Sequence, residues 1–122
     1  MTATAASRQA MGRYGEDVAE RHLVGQGMAV LDRNWRCPDG EIDLVLRDGP
    51  ALVVAEVKTR YDDTFGSPHE AITVAKSNRL QRLATRWLAE HDVRPAELRF
   101  DLVAVRQPGH GAAQVEHVRG IL

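Results

Sequence analysis

The sequence contains a single cysteine, Cys37, among its 122 residues. A single cysteine excludes an internal disulfide bond and any metal site built from several thiolates. Chains without a disulfide framework are typical of reducing compartments, so we expect a cytoplasmic protein in which Cys37 is not a nucleophile. The five histidines show no ligand spacing such as H-E-x-x-H, which removes the common zinc-protease pattern as well.

Long hydrophobic runs are also missing. No stretch approaches the roughly 20 apolar residues of a transmembrane helix. Residues 1–7 lack the basic start and apolar run of a signal peptide, and their small, polar composition predicts a disordered leader. Residues 8–122 fit one domain with a single core, because 43% of the chain is hydrophobic and 27% is charged.

The chain has no excess of positive charge. Its formal net charge is −1, whereas proteins that bind duplex DNA tightly are usually basic. Weak non-specific affinity for nucleic acid follows from this balance. A modestly positive surface around the site is still compatible with this net charge if a bound cation offsets several acidic side chains.

The most informative segment runs from Gly40 to Arg60. Two strand-like runs, Glu41 to Leu46 and Ala51 to Thr59, flank an Asp-Gly pair. Asp-Gly between hydrophobic runs is a strong short-range signal for a β-hairpin.

The register of the hairpin follows from its turn. If the two turn residues are Asp48 and Gly49, Glu41 lies opposite Glu56, and Asp43 is a diagonal neighbour of Glu56 with Cβ atoms within roughly 7–8 Å. Side chains alternate between faces along a strand, so one face is polar and the other apolar. The predicted polar face comprises Glu41, Asp43, Glu56 and Lys58. The predicted apolar face comprises Ile42, Leu44, Leu46, Val53, Ala55 and Val57.

The polar face has the composition of a metal site. Adjacent carboxylates repel each other unless a cation neutralises them or one stays protonated. Hard oxygen ligands favour Mg²⁺ or Mn²⁺, with Asp43 and Glu56 as the predicted ligands. Lys58 shares this face, where it could orient or deprotonate an attacking water, and Glu41 completes the predicted catalytic group. Metal-assisted hydrolysis of a phosphodiester bond uses all of these parts.

The spacing of Asp43, Glu56 and Lys58 resembles the D-(x)n-E-x-K core of the PD-(D/E)XK nuclease superfamily, which includes restriction endonucleases and archaeal Holliday-junction resolvases. Over roughly residues 8 to 106, further blocks resemble the YraN-like family of uncharacterised bacterial proteins in that superfamily. Ile42 replaces the proline that names the superfamily, which leaves the ligands unaffected. The matching blocks are Gly12-Arg13-Tyr14-Gly15-Glu16, Asn34-Trp35-Arg36, Gly40-Glu41-Ile42-Asp43, Glu56-Val57-Lys58-Thr59-Arg60, Lys76 and Arg99-Phe100-Asp101.

This resemblance implies a three-layer α/β/α restriction-endonuclease-like domain with a central mixed β-sheet. It also implies a metal-dependent endonuclease that acts on DNA, with branched or damaged DNA as candidate substrates and Mg²⁺ or Mn²⁺ as cofactor. Membership of a superfamily does not show that a given member cuts DNA. A non-catalytic nucleic-acid-binding or protein-interaction module with the same fold is therefore kept as the alternative. Whether the chain forms a homodimer stays open.

A first helix is predicted from Arg8 to Gln26, where apolar residues recur at helical spacing. Glu16 falls at the border of its apolar arc and could face the sheet edge where the acids converge. A resolvase-like site would use Glu16 as an additional metal ligand. The alternative is a solvated helix charge that pairs with Arg13.

A second helix is predicted from about Pro68 to His91, after a loop at Tyr61 to Ser67 that could contact substrate. Its apolar arc should pack on the sheet. The adjacent basic stripe would suit a phosphate backbone, although a solvated helix face is the alternative. The arc comprises Ile72, Leu80, Leu83, Ala84, Trp87 and Leu88, and the stripe comprises Lys76, Arg79, Arg82 and Arg86.

Four basic residues are the candidates for binding nucleic acid. They are Lys76, Arg79 and Arg82 of the second helix and Arg60 at the end of the hairpin. Lys76 sits closest to the apolar arc, and the resemblance implies that it reaches the active site as a second cation.

The remaining elements complete the sheet. Strands are predicted at Met28 to Arg36, at Glu97 to Val105 and at Val115 to Arg119. The order helix, strand, hairpin, helix, strand, strand predicts a mixed sheet flanked by helices in a three-layer α/β domain. The acids would lie at one sheet edge under the first helix.

Two side-chain roles are predicted beyond the hairpin. Trp35 is predicted to pack rather than to stack on a base, because a single aromatic ring is no stacking platform. Arg99 and Asp101, which are neighbours on one strand face, are predicted to form a structural ion pair.

Overall fold

The computed structural model describes residues 5–60, 72–108 and 110–122. Within these residues the chain forms two helices and five strands in the predicted order. Neither of these described helices is long and apolar enough to cross a membrane. The elements are α1 (Ala5–Gly25), β1 (Ala29–Cys37), β2 (Gly40–Asp48), β3 (Ala51–Arg60), α2 (Val74–His91), β4 (Glu97–Arg106) and β5 (Gln114–Val118).

The five strands form one sheet in the order β1-β2-β3-β4-β5. β3 and β4 are parallel because α2 provides the crossover between them, and the other neighbouring pairs are antiparallel. The two helices pack on separate apolar clusters. The predicted α/β fold with a mixed sheet is confirmed, and it is compatible with a restriction-endonuclease-like domain.

The core consists of an α1 cluster and an α2 cluster. Neighbouring strand residues enter different clusters because successive side chains point to opposite faces. Trp35 packs at the border of the α2 cluster, as predicted, whereas Ile72 precedes α2. The α1 cluster includes Ala19, Leu23, Leu44, Leu46, Val53, Ala55, Val103 and Val105. The α2 cluster includes Val45, Leu52, Val54, Leu80, Leu83, Ala84, Trp87 and Phe100.

The first helix begins at Ala5, before the predicted start at Arg8. It therefore takes in residues 5–7 of the segment predicted as a leader, whereas residues 1–4 lie outside the described residues. Gly27 follows the helix with a φ of 97°, a left-handed conformation that glycine adopts without steric penalty. Gln26 and Gly27 donate backbone hydrogen bonds to the last turn of α1, which directs the chain into β1.

The second helix begins at Val74, so the prediction of a start near Pro68 is wrong. Thr73 is the N-cap, and its Oγ1 accepts a hydrogen bond from the Lys76 backbone N–H at 3.1 Å. Residues 61–71, which include the predicted substrate loop at Tyr61 to Ser67 and Pro68 itself, lie outside the described residues.

The hairpin turn also differs from its predicted position. Asp48 pairs with Ala51, so the two turn residues are Gly49 and Pro50 rather than Asp48 and Gly49. Gly49 has a φ of 59°, which favours glycine. The register therefore shifts by two residues relative to the prediction. A shift of two preserves the face of each side chain, because the side-chain period of a strand is two.

Ile42 packs in the α2 cluster and not with Leu44 on the α1 face, so this prediction is wrong. The side chains of β2 change faces between Leu44 and Ile42, and the β1 residue that faces this position is Asn34. Arg33 pairs with Leu44 and Trp35 with Ile42, and the intervening Asn34 has a φ of 55°. A left-handed residue reorients the strand locally, and asparagine is among the few residues that tolerate this conformation.

Candidate active site

The strands β2 and β3 separate where the acidic residues begin. Their ladder runs from the turn to the pair of Leu44 with Ala55. Beyond this pair, Asp43 Oδ2 accepts a hydrogen bond from the Val57 backbone N–H at 2.8 Å. A side-chain carboxylate thus takes the place of a strand carbonyl, and Asp43 lies in the gap between the two strands.

Three carboxylates from α1 and β2 converge at this gap. One oxygen each from Glu16, Glu41 and Asp43 lies within 4.8 Å of the other two. The Glu16 side chain is only 13% exposed. The structure therefore places Glu16 beside Glu41 and Asp43 and not in solvent.

Two neighbouring residues of β1, for which the sequence predicted no site role, hold these acids in place. The Asn34 amide, oriented with its nitrogen toward the acids, donates to Glu16 Oε2 at 2.6 Å and to Glu41 Oε1 at 3.0 Å. Arg33 forms ion pairs with Asp17 at 2.7 Å and with Glu16 at 3.8 Å. An asparagine inside a strand-like run was the available signal, since asparagine is depleted from strands and enriched at left-handed positions.

The environment of these acids opposes their ionisation. Burial raises the pKa of Asp43 to about 6, and three nearby carboxylates add to the rise against the lowering by the Val57 hydrogen bond. Burial likewise raises the pKa of Glu16, despite the attraction of Arg33. Acids perturbed by burial and by each other in one cluster are characteristic of functional sites.

Glu56 lies between the two lysines of the chain. Its Oε1 is 3.0 Å from Lys76 Nζ of α2 and 3.4 Å from Lys58 Nζ of its own strand. Its Oε2 is buried and has no hydrogen-bond partner among the described residues. Lys76 thus reaches the carboxylate site from the second helix, the position that the resemblance implied for it.

Lysine occurs in this sequence only at these two positions, so every other Lys or Arg residue is an arginine. Arginine stays protonated, whereas a buried lysine can lose its proton. Burial lowers the pKa of Lys58 and the adjacent Lys76 lowers it further, against the attraction of Glu56. This biased use of lysine is a signal in the sequence that could have identified Lys76 without a family resemblance.

A cavity of about 60 Å³ joins the acids of β2 to Glu56. The prediction that all four polar residues share one sheet face is wrong for Glu41. Glu41 meets Glu16 of α1, whereas Glu56 meets Lys76 of α2. The left-handed conformation of Asn34 and the separation of the strands at Asp43 accompany this difference. The cavity is lined by Glu41, Ile42, Asp43, Val54, Ala55, Glu56, Arg79 and Leu80.

The predicted nucleic-acid-binding arginines occupy three different positions. Arg79 lines the cavity at the acids. Arg82 and Arg86 line an open groove of about 560 Å³ between α2 and Asp39 of the β1–β2 turn. Arg60 is exposed at the end of β3 and donates to the Thr59 carbonyl at 3.1 Å.

Arg99 and Asp101 form the predicted ion pair, with two hydrogen bonds of 2.9 and 3.0 Å. Asp101 is fully buried, accepts from the Gly120 backbone N–H at 3.1 Å, and lies 2.8 Å from His117 Nε2. Burial alone would raise its pKa, but hydrogen bonds from Arg99 and His117 outweigh burial and hold the pKa of Asp101 below its usual value. The Asp101 carboxylate therefore already has a cationic partner within the chain, Arg99.

Comparison with known proteins gives one consistent family. The model of the uncharacterised protein family UPF0102 matches residues 15–105. A UPF0102 protein from Nocardioides sp. is 58% identical over 98% of this chain and 97% of its own length. UPF0102 proteins from Beutenbergia cavernae and Frankia alni are 57% and 56% identical, over 94% and 93% of this chain and 98% and 95% of their own lengths. The chain therefore belongs to the uncharacterised protein family UPF0102, which confirms the YraN-like resemblance.

Proposed function

We propose that this protein is a metal-dependent endonuclease that hydrolyses phosphodiester bonds in DNA. The observation that carries the proposal is the convergence of Glu16, Glu41 and Asp43 in a gap of the sheet, next to Glu56 and its ion pair with Lys58. The pKa values of Asp43 and Glu16 stay raised despite their hydrogen bonds. Such a cluster supports a site in which a bound cation compensates the acids.

The residues present fit a hard divalent cation such as Mg²⁺ or Mn²⁺. Glu16, Glu41 and Asp43 would hold it, because an oxygen of each lies within 4.8 Å of the others. Glu56 Oε2 is a buried acceptor without a partner in the described parts of the chain, and it lines the same cavity. A donor set made of oxygen atoms alone is typical of Mg²⁺ and Mn²⁺ sites.

The chemical roles divide between the cation and the lysines. The cation would supply Lewis acidity toward a phosphate oxygen. Lys58, whose pKa is lowered, would accept a proton from the attacking water. Lys76 would donate a hydrogen bond to the charge that develops on the phosphate. Glu56 holds both amines close together through one oxygen.

The arginines of α2 support a polyanionic substrate. Arg79 lies at the acids, and Arg82 and Arg86 continue along the groove. The helical rise places Arg86 about 10 Å beyond Arg79 along the axis, so the arginines extend over several phosphates of a backbone. The net charge of −1 favours weak binding to intact duplex, so branched or damaged DNA is the preferred candidate substrate.

The alternative function is a non-catalytic nucleic-acid-binding or protein-interaction module. The ion pairs of Glu56 with Lys58 and Lys76 favour it, because this carboxylate already has cations from the chain itself. A binding module would keep its partner affinity after loss of Lys58, whereas an endonuclease would lose turnover.

The test joins cation binding to cleavage. Mn²⁺ is titrated calorimetrically into wild type, Glu56→Ala, Lys58→Met and a matched control, Arg21→Met, which removes an exposed cation of α1. Each protein is then incubated with Mg²⁺ or Mn²⁺ and single-stranded, duplex or four-way-branched DNA. Wild type and Arg21→Met should bind Mn²⁺ and cleave, and Lys58→Met should bind Mn²⁺ without cleaving.

Two outcomes would contradict the endonuclease proposal. Equal residual cleavage by wild type and Lys58→Met would identify a contaminant. DNA binding by both proteins without any cleavage would favour the module.

A further inference from the structure

Gly15 brings α1 into direct contact with β3. A Cβ at this position would overlap Thr59 Oγ1 and would lie 2.9 Å from Thr59 Cβ and 3.0 Å from its Cγ2. Ordinary contacts of a Cβ begin at 3.4 Å. Rotation of the Thr59 side chain moves Oγ1 and Cγ2 but leaves Cβ in place. A side chain at position 15 would therefore push the helix and the strand apart.

This constraint is specific to one glycine of the helix. Gly12, about one turn earlier, has nothing within 4 Å of an added Cβ. Glycine is unfavourable inside a helix relative to alanine. The contact with Thr59 therefore provides a physical reason for glycine at position 15.

The contact joins the two segments that carry site residues. Gly15 directly precedes Glu16, and Thr59 directly follows Lys58. Mg²⁺ requires ligands close to an ideal octahedral arrangement at about 2.0–2.1 Å, so binding depends on the position of each ligand oxygen. A displacement of α1 by about 1 Å would take Glu16 away from the position it shares with Glu41 and Asp43.

Several polar restraints on this part of α1 act through long side chains. Tyr14 Oη donates to Gln107 Oε1 at 2.7 Å, and Arg33 reaches Glu16 and Asp17 through its guanidinium. Such side chains can follow a displaced helix by changing rotamers. The contact between Gly15 and Thr59 involves backbone and Cβ atoms, so it sets the spacing itself.

We propose that Gly15 is a positioning residue of the candidate cation site. Its missing side chain sets the spacing between α1 and β3 and thereby places Glu16 against Glu41 and Asp43. The inference rests on the proposed function, because it assigns a role in the same site. Gly15 acts through Glu16 and touches no reacting atom.

The experiment measures Mn²⁺ affinity by calorimetry and by the electron paramagnetic resonance signal of free Mn²⁺. Gly15→Ala should bind Mn²⁺ at least tenfold more weakly than wild type, whereas the matched control Gly12→Ala should bind as wild type does. Thr59→Gly removes the atoms that the new Cβ meets. The double variant Gly15→Ala/Thr59→Gly should therefore recover the affinity of Thr59→Gly alone.

A double-mutant cycle with Glu16→Gln separates positioning from general damage. Glu16→Gln should weaken Mn²⁺ binding in wild type but have little further effect in Gly15→Ala, because Glu16 is already displaced there. Additive losses would overturn the inference. So would wild-type affinity in Gly15→Ala, or a loss that Thr59→Gly does not restore.

Circular dichroism reports whether each variant folds. If Gly15→Ala does not fold, two double variants are compared instead. Gly15→Ala/Thr59→Ala retains only the 2.9 Å contact between the Cβ atoms of residues 15 and 59. It should therefore bind Mn²⁺ more weakly than Gly15→Ala/Thr59→Gly, which lacks this contact. Equal binding by these two would also contradict the inference. Wild type that binds no Mn²⁺ would overturn the proposed metal-dependent function together with the inference, whereas unchanged binding in Gly15→Ala would overturn the inference alone.

Discussion

Two aspartates of the same sheet are held in opposite ways. Asp101 of β4 receives two hydrogen bonds from Arg99 and one from the Gly120 backbone, and lies beside His117. Asp43 of β2 receives one hydrogen bond among the described residues, from the Val57 backbone. Its other close neighbours include three carboxylates.

The two environments shift the pKa values in opposite directions. Arg99 and His117 hold the pKa of Asp101 below its usual value even though the side chain is fully buried. Burial and neighbouring acids raise the pKa of Asp43 to about 6. Burial of an acid is therefore not diagnostic by itself. A buried acid whose charge is fully compensated by groups of the chain itself has a structural role. A buried acid whose charge is only partly compensated supports a site for an external cation.

The largest expected difference between the two aspartates is in catalysis. Asp43→Asn keeps an acceptor for the Val57 N–H but removes the charge that a cation requires. Mg²⁺-dependent DNA cleavage should therefore fall roughly a thousandfold or more. Asp101→Asn should cleave at a rate near that of wild type under conditions where it is folded. Steady-state cleavage assays measure both rates, and equal losses would show that the two aspartates do not differ in role.

The next effect is on stability, and here Asp101 rather than Asp43 is the sensitive residue. Asp101→Asn leaves Arg99 without its buried carboxylate and should lower the free energy of unfolding by about 3 kcal/mol. Urea unfolding at pH 7 followed by circular dichroism measures this change. Glu116→Gln, an exposed acid of β5, is the matched control and should unfold like wild type. A loss no larger than that of Glu116→Gln would contradict a structural role for the Asp101 network.

An effect of similar size is expected in the pH dependence of unfolding in the presence of a chelator. The folded-state pKa of Asp43 is about 6, above the ordinary value of 3.8. The folded state therefore binds this proton more tightly, so ionisation of Asp43 destabilises the protein as pH rises from about 4 to 6. Asp43→Asn should be more stable than wild type by about 3 kcal/mol at pH 8 and nearly equal to it at pH 4.

Asp101 provides the internal control for that measurement. Its pKa is lowered, so its contribution to stability is present above the ordinary value of 3.8 and is lost as pH falls further. The difference between wild type and Asp101→Asn should therefore shrink below about pH 4. If both variants showed the same pH trend, the assigned environments would be incorrect.

The smallest expected effect concerns Asn34, which donates to Glu16 and Glu41. Asn34→Ala removes the group that orients both acids and should weaken Mn²⁺ binding roughly tenfold. Asn78→Ala, at an exposed position of α2, is the matched control and should bind Mn²⁺ like wild type. Calorimetric titration measures both affinities. Equal affinities would show that Asn34 has no part in arranging the acids.

Much of the fold could be predicted from the sequence because its signals are local. Alternation of apolar residues identified the strands, and helical spacing identified α1 and the packed arc of α2. The pairing of Arg99 with Asp101 followed from their positions on one strand face. The start of α2 was predicted at Pro68 from its composition alone, whereas the helix begins at Val74 after the N-cap Thr73.

The composition of the candidate site was also readable, but its arrangement was not. Asp43, Glu56 and Lys58 follow from a spacing pattern in one segment, and the period of two survived the error in the hairpin turn. The separation of β2 from β3 and the reorientation at Asn34 depend on how three strands and α1 pack together. These features place Glu41 with Glu16 and place Glu56 with the two lysines.

The sequence by itself determined which elements form and which acids and lysines are available. Only the tertiary structure decided which of these groups meet, because contacts between α1, β2, β3 and α2 join residues that are distant along the chain. The contact of Gly15 with Thr59 shows the difference most clearly. A glycine within a helix is visible in the sequence, but its steric necessity arises from a strand more than forty residues away.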